Sequence, residues 1–427
     1  MKVSLVSYDD GASGSGKSAS KLQDALHRIN VDSSMYVAMK SRPGLETRLM
    51  TSTFGRLRLR LLQEAEARIC TALHPHQRSF DGNKHSLGLF GAGVVSALNS
   101  DDSDIVQLMF VNGVLSIADI ARIRKPIVWR LSDMWAFSGT GHYDFGDGAS
   151  DWKTGYRTSR AADHWLANLI DLDRRVWKRK ARLWREPIHI VCPSQWLADC
   201  VQTSALMKSW PVHVIPTSID TSLFRPIPKM TARRLLGLKL DAPYILYSAL
   251  GGTSDKRKGG DLFIEAVKGL VHSIPDLNLM FVGDQRSAVI GGFLEDSVYE
   301  AGVLNDPLTL ALHYSAADLT VIPSRQDNLP QVGVEAQSCG CPVVAFDVSG
   351  LSELIDNGKT GALANPFDCV DLRRAMGWCL ADPARLKHLG KAARKRAQNK
   401  FDRQIVATSY RSLYEHVLSG NRTAKIS

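Results

Sequence analysis

Short apolar runs rich in Val and Ile recur along the chain at residues 3–7, 105–109, 127–131, 188–192 and 212–215. They return at 244–247, 279–282, 319–322 and 342–346. Each is too short for a helix and mostly apolar, which is how a strand buried on both faces reads. Amphipathic stretches fill the intervals, and strands alternating with helices predict parallel sheets with helices on both faces. Two such series predict two doubly wound α/β domains.

Between the series, Ile215-Pro216-Thr217-Ser218-Ile219-Asp220 and Phe224-Arg225-Pro226-Ile227-Pro228 concentrate prolines and turn formers, the composition of a segment that few contacts cross. The expected organisation is an N-terminal domain over 1–218, a linker over 219–235 and a C-terminal domain over 236–403. A last helix over about 404–427, carrying Tyr410, Leu413, Tyr414 and Val417, packs back on the first domain. No repeat or low-complexity segment interrupts this pattern.

The chain has 427 residues, 44% hydrophobic and 22% charged, an ordinary globular composition with room for a core in each half. No stretch reaches the roughly 18 to 20 uncharged apolar residues that cross a bilayer. The first residues, Met1-Lys2-Val3-Ser4-Leu5-Val6, read as a strand and not as a signal peptide, so a cytoplasmic protein is expected. Seven scattered cysteines form no C-x-x-C pair, and they read as free thiols, with no metal site among them. A formal charge of +10 favours anionic partners such as nucleotide phosphates or lipid headgroups. No helix-turn-helix, finger or aromatic RNA-binding signature accompanies it, and nucleic acid is not an expected partner.

Two segments are candidates for binding phosphate. Gly11-Ala12-Ser13-Gly14-Ser15-Gly16-Lys17-Ser18 fits G-x-x-x-x-G-K-[ST] and lies between a strand and a helix. As a P-loop it would wrap phosphates in backbone N–H groups, with Lys17 on the terminal phosphates and Ser18 on magnesium. That reading also requires a strand ending in Asp. Asp104 opens its strand, and residues 319–322 run into Pro323-Ser324. Glycine-rich turns after a first strand are common to all doubly wound domains, so the loop is read as a cleft loop on the acceptor side through Gly14, Ser15 and Gly16. A P-loop NTPase or kinase using ATP or GTP with magnesium remains the alternative.

The second candidate is Asp255-Lys256-Arg257-Lys258-Gly259-Gly260, after a strand and the glycines Gly251 and Gly252. Three cations at a helix start can neutralise a diphosphate. In the same half, Pro323-Ser324-Arg325-Gln326-Asp327-Asn328-Leu329-Pro330-Gln331-Val332-Gly333-Val334-Glu335-Ala336 puts Asp327 in a loop and Glu335 eight positions later on a helix. A carboxylate accepts two hydroxyl hydrogen bonds at once, which suits sugar and ribose.

The stretch from Asp327 to Glu335, with Cys339-Gly340-Cys341-Pro342-Val343-Val344 after it, resembles the E-x7-E signature of retaining GT-B glycosyltransferases of family 4, with Asp in place of the first Glu. The exopolysaccharide and colanic-acid biosynthesis type is the nearest in pattern. Trp129-Arg130-Leu131-Ser132-Asp133-Met134-Trp135 with His142-Tyr143, Cys192-Pro193-Ser194-Gln195-Trp196, Phe224-Arg225-Pro226 and Lys258-Gly259 follow in the family's order, so the resemblance spans nearly the whole chain.

That resemblance implies a GT-B fold, two Rossmann-like domains facing a central cleft, and sugar transfer from a nucleoside-diphosphate sugar with retention and without metal. The donor is UDP- or GDP-linked and no separate cofactor is needed. The acceptor is a saccharide or a polyprenyl-linked saccharide, in cell-surface or exopolysaccharide synthesis. Glu335 is implied to bind the donor ribose, Asp327 the transferred sugar and Lys258 the diphosphate. Catalysis thus falls to Asp327, Lys258 and Glu335, and donor binding to Gly251, Gly252, Arg257, Lys258, Asp327, Asn328, Leu329, Pro330, Gln331 and Glu335. Ser132 and Asp133 join the glycine loop on the acceptor side. This chain has Gly252 where an Arg is often found and Ser132 where many relatives have His.

Residues 56–62 and 174–184 mix cations with Leu, Val and Trp. Such a stretch can lie on a membrane surface, placing the protein at the inner face of the plasma membrane. The alternative is a solvated face whose stems pack on the protein. Trp129, Trp135 and Trp152 can stack on sugars or belong to the core.

Overall fold

The computed structural model describes residues 1–41, 47–50, 53–73, 84–144, 151–157, 171–249, 255–283 and 297–424. The chain divides into two compact units, one of Met1–Ser218 with Arg403–Ser427 and one of Ile219–Asp402.

In the first unit β1 (Lys2–Asp9), β2 (Asp32–Met39), β3 (Thr47–Leu49), β4 (Ile105–Leu108), β5 (Ile127–Arg130), β6 (His189–Cys192) and β7 (Val212–Val214) form one sheet in the order β3-β2-β1-β4-β5-β6-β7. Every pairing is parallel. Val3, Leu5 and Val6 of β1 and Ile105, Val106 and Leu108 of β4 are all fully buried, which accounts for their mostly apolar runs; Ser4 and Gln107 within them are buried as well. The C-terminal helix Arg403–Ala424 lies against Gly14–Arg28. Its Tyr414 hydroxyl donates to Gln107 Oε1 at 2.9 Å inside the core.

In the second unit β8 (Tyr244–Ala249), β9 (Asn278–Gly283), β10 (Val298–Glu300), β11 (Leu319–Ile322), β12 (Val343–Phe346) and β13 (Gly361–Ala364) form a parallel sheet in the order β10-β9-β8-β11-β12-β13. Both sheets are doubly wound, and in each the order reverses beside the unit's first strand. Ligands of such sheets bind at that reversal, outside the carboxyl ends of the two strands that flank it. For the second unit those strands are β8 and β11.

The segment 219–235, expected as a linker, belongs to the second unit. Ile219, Phe224 and Ala232 are buried in its core, and Lys229–Leu235 is a helix. Pro228 is the N-cap of that helix; it does not mark a solvated tether. Arg394 fixes the segment by donating to the carbonyls of Thr221 and Phe224 at 2.8 Å each.

Candidate functional site

The end of β8 and the end of β11 carry the groups that the sequence singled out in the second unit. Asp255 caps a single 3-10 turn, Lys256–Lys258, and Gly259 then adopts φ 67° before the helix Gly260–Val271. A Cβ at Gly259 would stand 1.9 Å from the Pro323 carbonyl oxygen. Glycine is therefore needed both for the left-handed turn and for the close approach of the two loops. The loops are stitched together by Arg325, whose N–H donates to the Arg257 carbonyl at 2.8 Å and whose guanidinium pairs with Asp261 at 2.6 Å.

Across this junction Lys258 Nζ donates to Asp327 Oδ2 at 2.6 Å, and Arg257 Nη1 stands 3.6 Å from the same oxygen. Burial works against ionisation of Asp327, but Lys258 and Arg257 outweigh it and hold its carboxyl below the usual carboxylate range. The β12 loop secures the backbone here. Ser349 Oγ donates to the Asp327 carbonyl at 2.8 Å and accepts from the Asp327 N–H at 3.1 Å, while the Gly350 N–H reaches that carbonyl at 3.0 Å. Asn328 N–H donates to Asp327 Oδ1 at 3.1 Å, and Leu329 and Pro330 are buried ahead of the helix Gln331–Ser338.

Glu335 lies on the second turn of that helix, 6% exposed, and accepts the Tyr314 O–H at 3.1 Å. Burial, with Glu335 beside it, drives the Tyr314 phenol far above its normal range, so Tyr314 stays a donor and fixes one carboxylate oxygen. The structure thus brings Arg257, Lys258 and Asp327 into one ionic cluster beside the loop Asn328, Leu329 and Pro330, with Gln331 and Glu335 on the next helix. Gly251 and Gly252 lie outside the described residues. Tyr314 and Ser349 were not found from sequence; each is distant in the chain, and neither type of residue marks a site by itself.

In the first unit the loop after β1 is built around Asp9. Its Oδ1 accepts the N–H groups of Gly11 and Ser13 at 2.9 and 3.0 Å, and its Oδ2 accepts the Ser13 hydroxyl at 2.5 Å. Ser13 Oγ in turn caps the helix by accepting from Gly16 N–H at 3.0 Å, with Ser15 Oγ 2.9 Å away. A P-loop turns these N–H groups outward to an anion; here a protein carboxylate occupies them. The match to G-x-x-x-x-G-K-[ST] is a helix-capping turn, and the NTPase alternative has no structural support. Gly14 is exposed at the helix start, and a Cβ there would meet nothing within 4 Å.

Ser132 and Asp133 follow β5. Ser132 Oγ accepts from Arg130 Nη1 at 3.2 Å. Asp133 holds the buried His142, with Nδ1 2.6 Å from Oδ2, and also accepts the Trp135 N–H at 3.0 Å. His142 Nε2 stands 3.0 Å from both Ser86 Oγ and the Asn112 amide nitrogen. An amide N–H donor at Nε2 makes that nitrogen the acceptor, so the proton sits on Nδ1 and is donated to Asp133. Burial lowers the His142 pKa despite Asp133, in agreement with a neutral ring. Asp133 therefore orients His142.

The aromatic and basic stretches also resolve. Trp129, Trp135 and Trp152 are core residues of the first unit. The helix Leu172–Leu183 buries Leu172, Val176 and Lys180, and the Lys180 ammonium is capped by the carbonyls of Trp135, Ser138 and Gly139. One face of residues 174–184 thus packs on the protein, while Arg175, Lys178 and Arg182 are exposed. The helix Thr53–Leu73 differs: Leu57 and Leu61 are 57% and 59% exposed. All seven cysteines are free.

Residues 243–382 match the family described as glycosyl transferases group 1. A D-inositol 3-phosphate glycosyltransferase from Thermobispora bispora is 31% identical over 225 residues, 48% of this chain and 51% of that protein. The chain spans about half the length of the curated relatives it matches. Among solved structures, sucrose-phosphate synthase from Thermosynechococcus elongatus aligns with TM-score 0.66 and 21% identity over 98% of this chain and 100% of that one. The Anabaena protein HepE in complex with UDP-glucose aligns with TM-score 0.64 and 17% identity over 98% and 100%. The two parallel-sheet domains are those of the GT-B fold.

Proposed function

We propose that the chain is a glycosyltransferase that takes a sugar from a nucleoside-diphosphate sugar through the site at the ends of β8 and β11. The Lys258–Asp327 pair at the strand reversal carries this reading. Diphosphate departure needs positive charge beside the leaving oxygens. Lys258 and Arg257 supply it, with N–H groups of the Pro330-capped helix Gln331–Ser338 adding dipole. Asp327, held anionic by those cations, hands them over when phosphate arrives and meets the hydroxyls of the transferred sugar. Glu335, oriented by Tyr314, is the acceptor for the ribose hydroxyls.

The match to group 1 glycosyltransferases over residues 243–382 and the fold shared with the UDP-glucose complex of HepE support a UDP- or GDP-linked donor. We further propose retention of anomeric configuration without metal, the leaving phosphate taking the acceptor proton. The acceptor is a saccharide or a polyprenyl-linked saccharide of cell-surface polysaccharide synthesis, on the cytoplasmic side of the plasma membrane. Exposed Leu57 and Leu61 beside Arg58 and Arg60 suit peripheral contact with anionic lipid. Among the described residues no helix is long and apolar enough to cross a membrane.

Calorimetric titration with UDP, GDP and ATP, with and without magnesium, tests the reading. The expected result is saturable UDP or GDP binding that ignores chelators, is lost in Glu335→Ala and Lys258→Ala, and persists in Lys17→Ala. Magnesium-dependent ATP binding lost only in Lys17→Ala overturns it.

A further inference from the structure

At the end of the second sheet opposite Lys258 and Asp327 lies a cavity of about 660 Å³. Pro243, Asp318 and Pro342 on its wall immediately precede β8, β11 and β12, whereas Lys258 and Asp327 follow β8 and β11. The volume lies within the roughly 300–1,000 Å³ of small-molecule pockets. Its apolar lining includes Ile227, Leu380, Leu386 and the prolines.

The charge of the wall is one-sided. Lys229, Arg233, Lys387, Lys391 and Arg394 face two carboxylates, Asp241 and Asp318. Asp318 is already neutralised, by Lys229 at 2.5 Å and by Arg233 at 2.6 Å. Arg394 spends its N–H groups on the carbonyls of Thr221, Phe224 and Ser338, which satisfy its hydrogen bonds but leave its charge. Lys387 and Lys391 stand one turn apart on the helix Pro383–Lys400, both exposed, and among the described residues neither has a carboxylate partner. Two ammonium groups on one helix face beside a third cation fit a dianion, and the apolar wall fits a body attached to it. The wall is pre-formed, because Tyr314 is held by its bond to Glu335 and pre-formed sites lose little on binding.

We propose that this cavity is a second ligand site, for a phosphomonoester carrying an apolar body. Lys387 and Lys391 take the phosphate, and the ring or chain lies against Leu386 and Pro342. Such a group belongs either to a free metabolite or to the headgroup of an anionic lipid. Titration of the full chain with phenyl phosphate, UDP being present throughout to fill the donor site, tests the soluble source. Co-sedimentation with vesicles of equal parts phosphatidylcholine and phosphatidate, against phosphatidylcholine alone, tests the lipid.

The expected result is one-site binding in at least one arm that weakens about tenfold or more in the Lys387→Gln/Lys391→Gln variant. Both lysines are exposed, so the double variant keeps its fold, which its unchanged melting temperature verifies. Binding in neither arm, or binding that the double variant leaves unchanged, overturns the proposal. The outcome is independent of the donor reading, since phenyl phosphate binding is measurable whether or not UDP binds.

Discussion

Lys258 and Asp327 are 69 residues apart in sequence, and their side chains meet at 2.6 Å where the loops after β8 and β11 converge. The pair is a charge store: without a phosphate each neutralises the other in a largely buried setting, and with one the lysine exchanges partners.

Removing the cation should therefore act on both stability and titration. The depressed Asp327 pKa stabilises the fold above the unfolded carboxylate pKa of about 3.9, and the contribution disappears as pH falls through the lower folded value. Lys258→Ala should cost about 1–3 kcal/mol near neutral pH and move the acid limb of the stability curve to higher pH. Urea unfolding across the acid range measures both; an unchanged acid limb would contradict the pairing.

His142 should behave in the same direction for a different reason. Burial first, against the opposing pull of Asp133, lowers its pKa below 6.5, so the unfolded chain takes up the proton first and stability falls as pH drops below about 6.5. In His142→Gln that segment of the pH dependence should flatten. Nitrogen NMR of the wild type should find Nε2 unprotonated at neutral pH, and a protonated Nε2 would overturn the tautomer.

The capping turn makes a paired prediction at two nearby glycines. A Cβ at Gly16 would fall 1.8 Å from Asp9 Oδ1 and 2.8 Å from the Gly11 nitrogen, so Gly16→Ala should destabilise the first unit by about 1–3 kcal/mol. Gly14→Ala meets nothing within 4 Å and sits at the first helical position, so it should be neutral or stabilising by up to about 1 kcal/mol. Thermal melts of the two variants decide it.

Gly259→Ala should damage the site without touching a charged group. The left-handed φ of 67° and the Pro323 carbonyl 1.9 Å from the added carbon force the loops after β8 and β11 apart, which separates Lys258 from Asp327. Donor affinity should fall about tenfold or more while Gly237→Ala, at the same φ of 67° with open space around it, leaves affinity intact. Calorimetry with UDP or GDP compares them.

Of the sheet-forming runs that the sequence exposed, Ile127–Arg130 and Leu319–Ile322 have no polar residue pointing to water to break the run until the strand ends, whereas Val212–Val214 is legible from its valines alone, with none of its residues fully buried. The strands β2, β3, β10 and β13 escaped detection. β2 opens on Asp32-Ser33-Ser34, and Ser33 and Ser34 are buried nonetheless; β13 is Gly-Ala-Leu-Ala, without a β-branched residue. Their strand character comes from neighbours that supply hydrogen bonds, a tertiary effect that local composition does not encode. The prolines of 219–235 misled for a related reason, since a proline that starts a helix and one that ends a domain look alike in sequence.

By itself the sequence determined the class of fold and the residues worth examining, because burial on both sides of a sheet and the chemistry of Lys258, Asp327 and Glu335 are written in residue types and local spacing. Only the tertiary structure decided what each polar group is bonded to. It put Asp9 inside a loop that reads as a phosphate cradle, Asp133 on His142, Tyr314 on Glu335 and Lys258 on Asp327. The Tyr314–Glu335 and Lys258–Asp327 bonds span 21 and 69 residues and exist only once the sheet has assembled, and even the short-range bonds to Asp9 cannot be read from residue types, so the same glycines and serines that suggest a nucleotide loop can close on a carboxylate from their own strand.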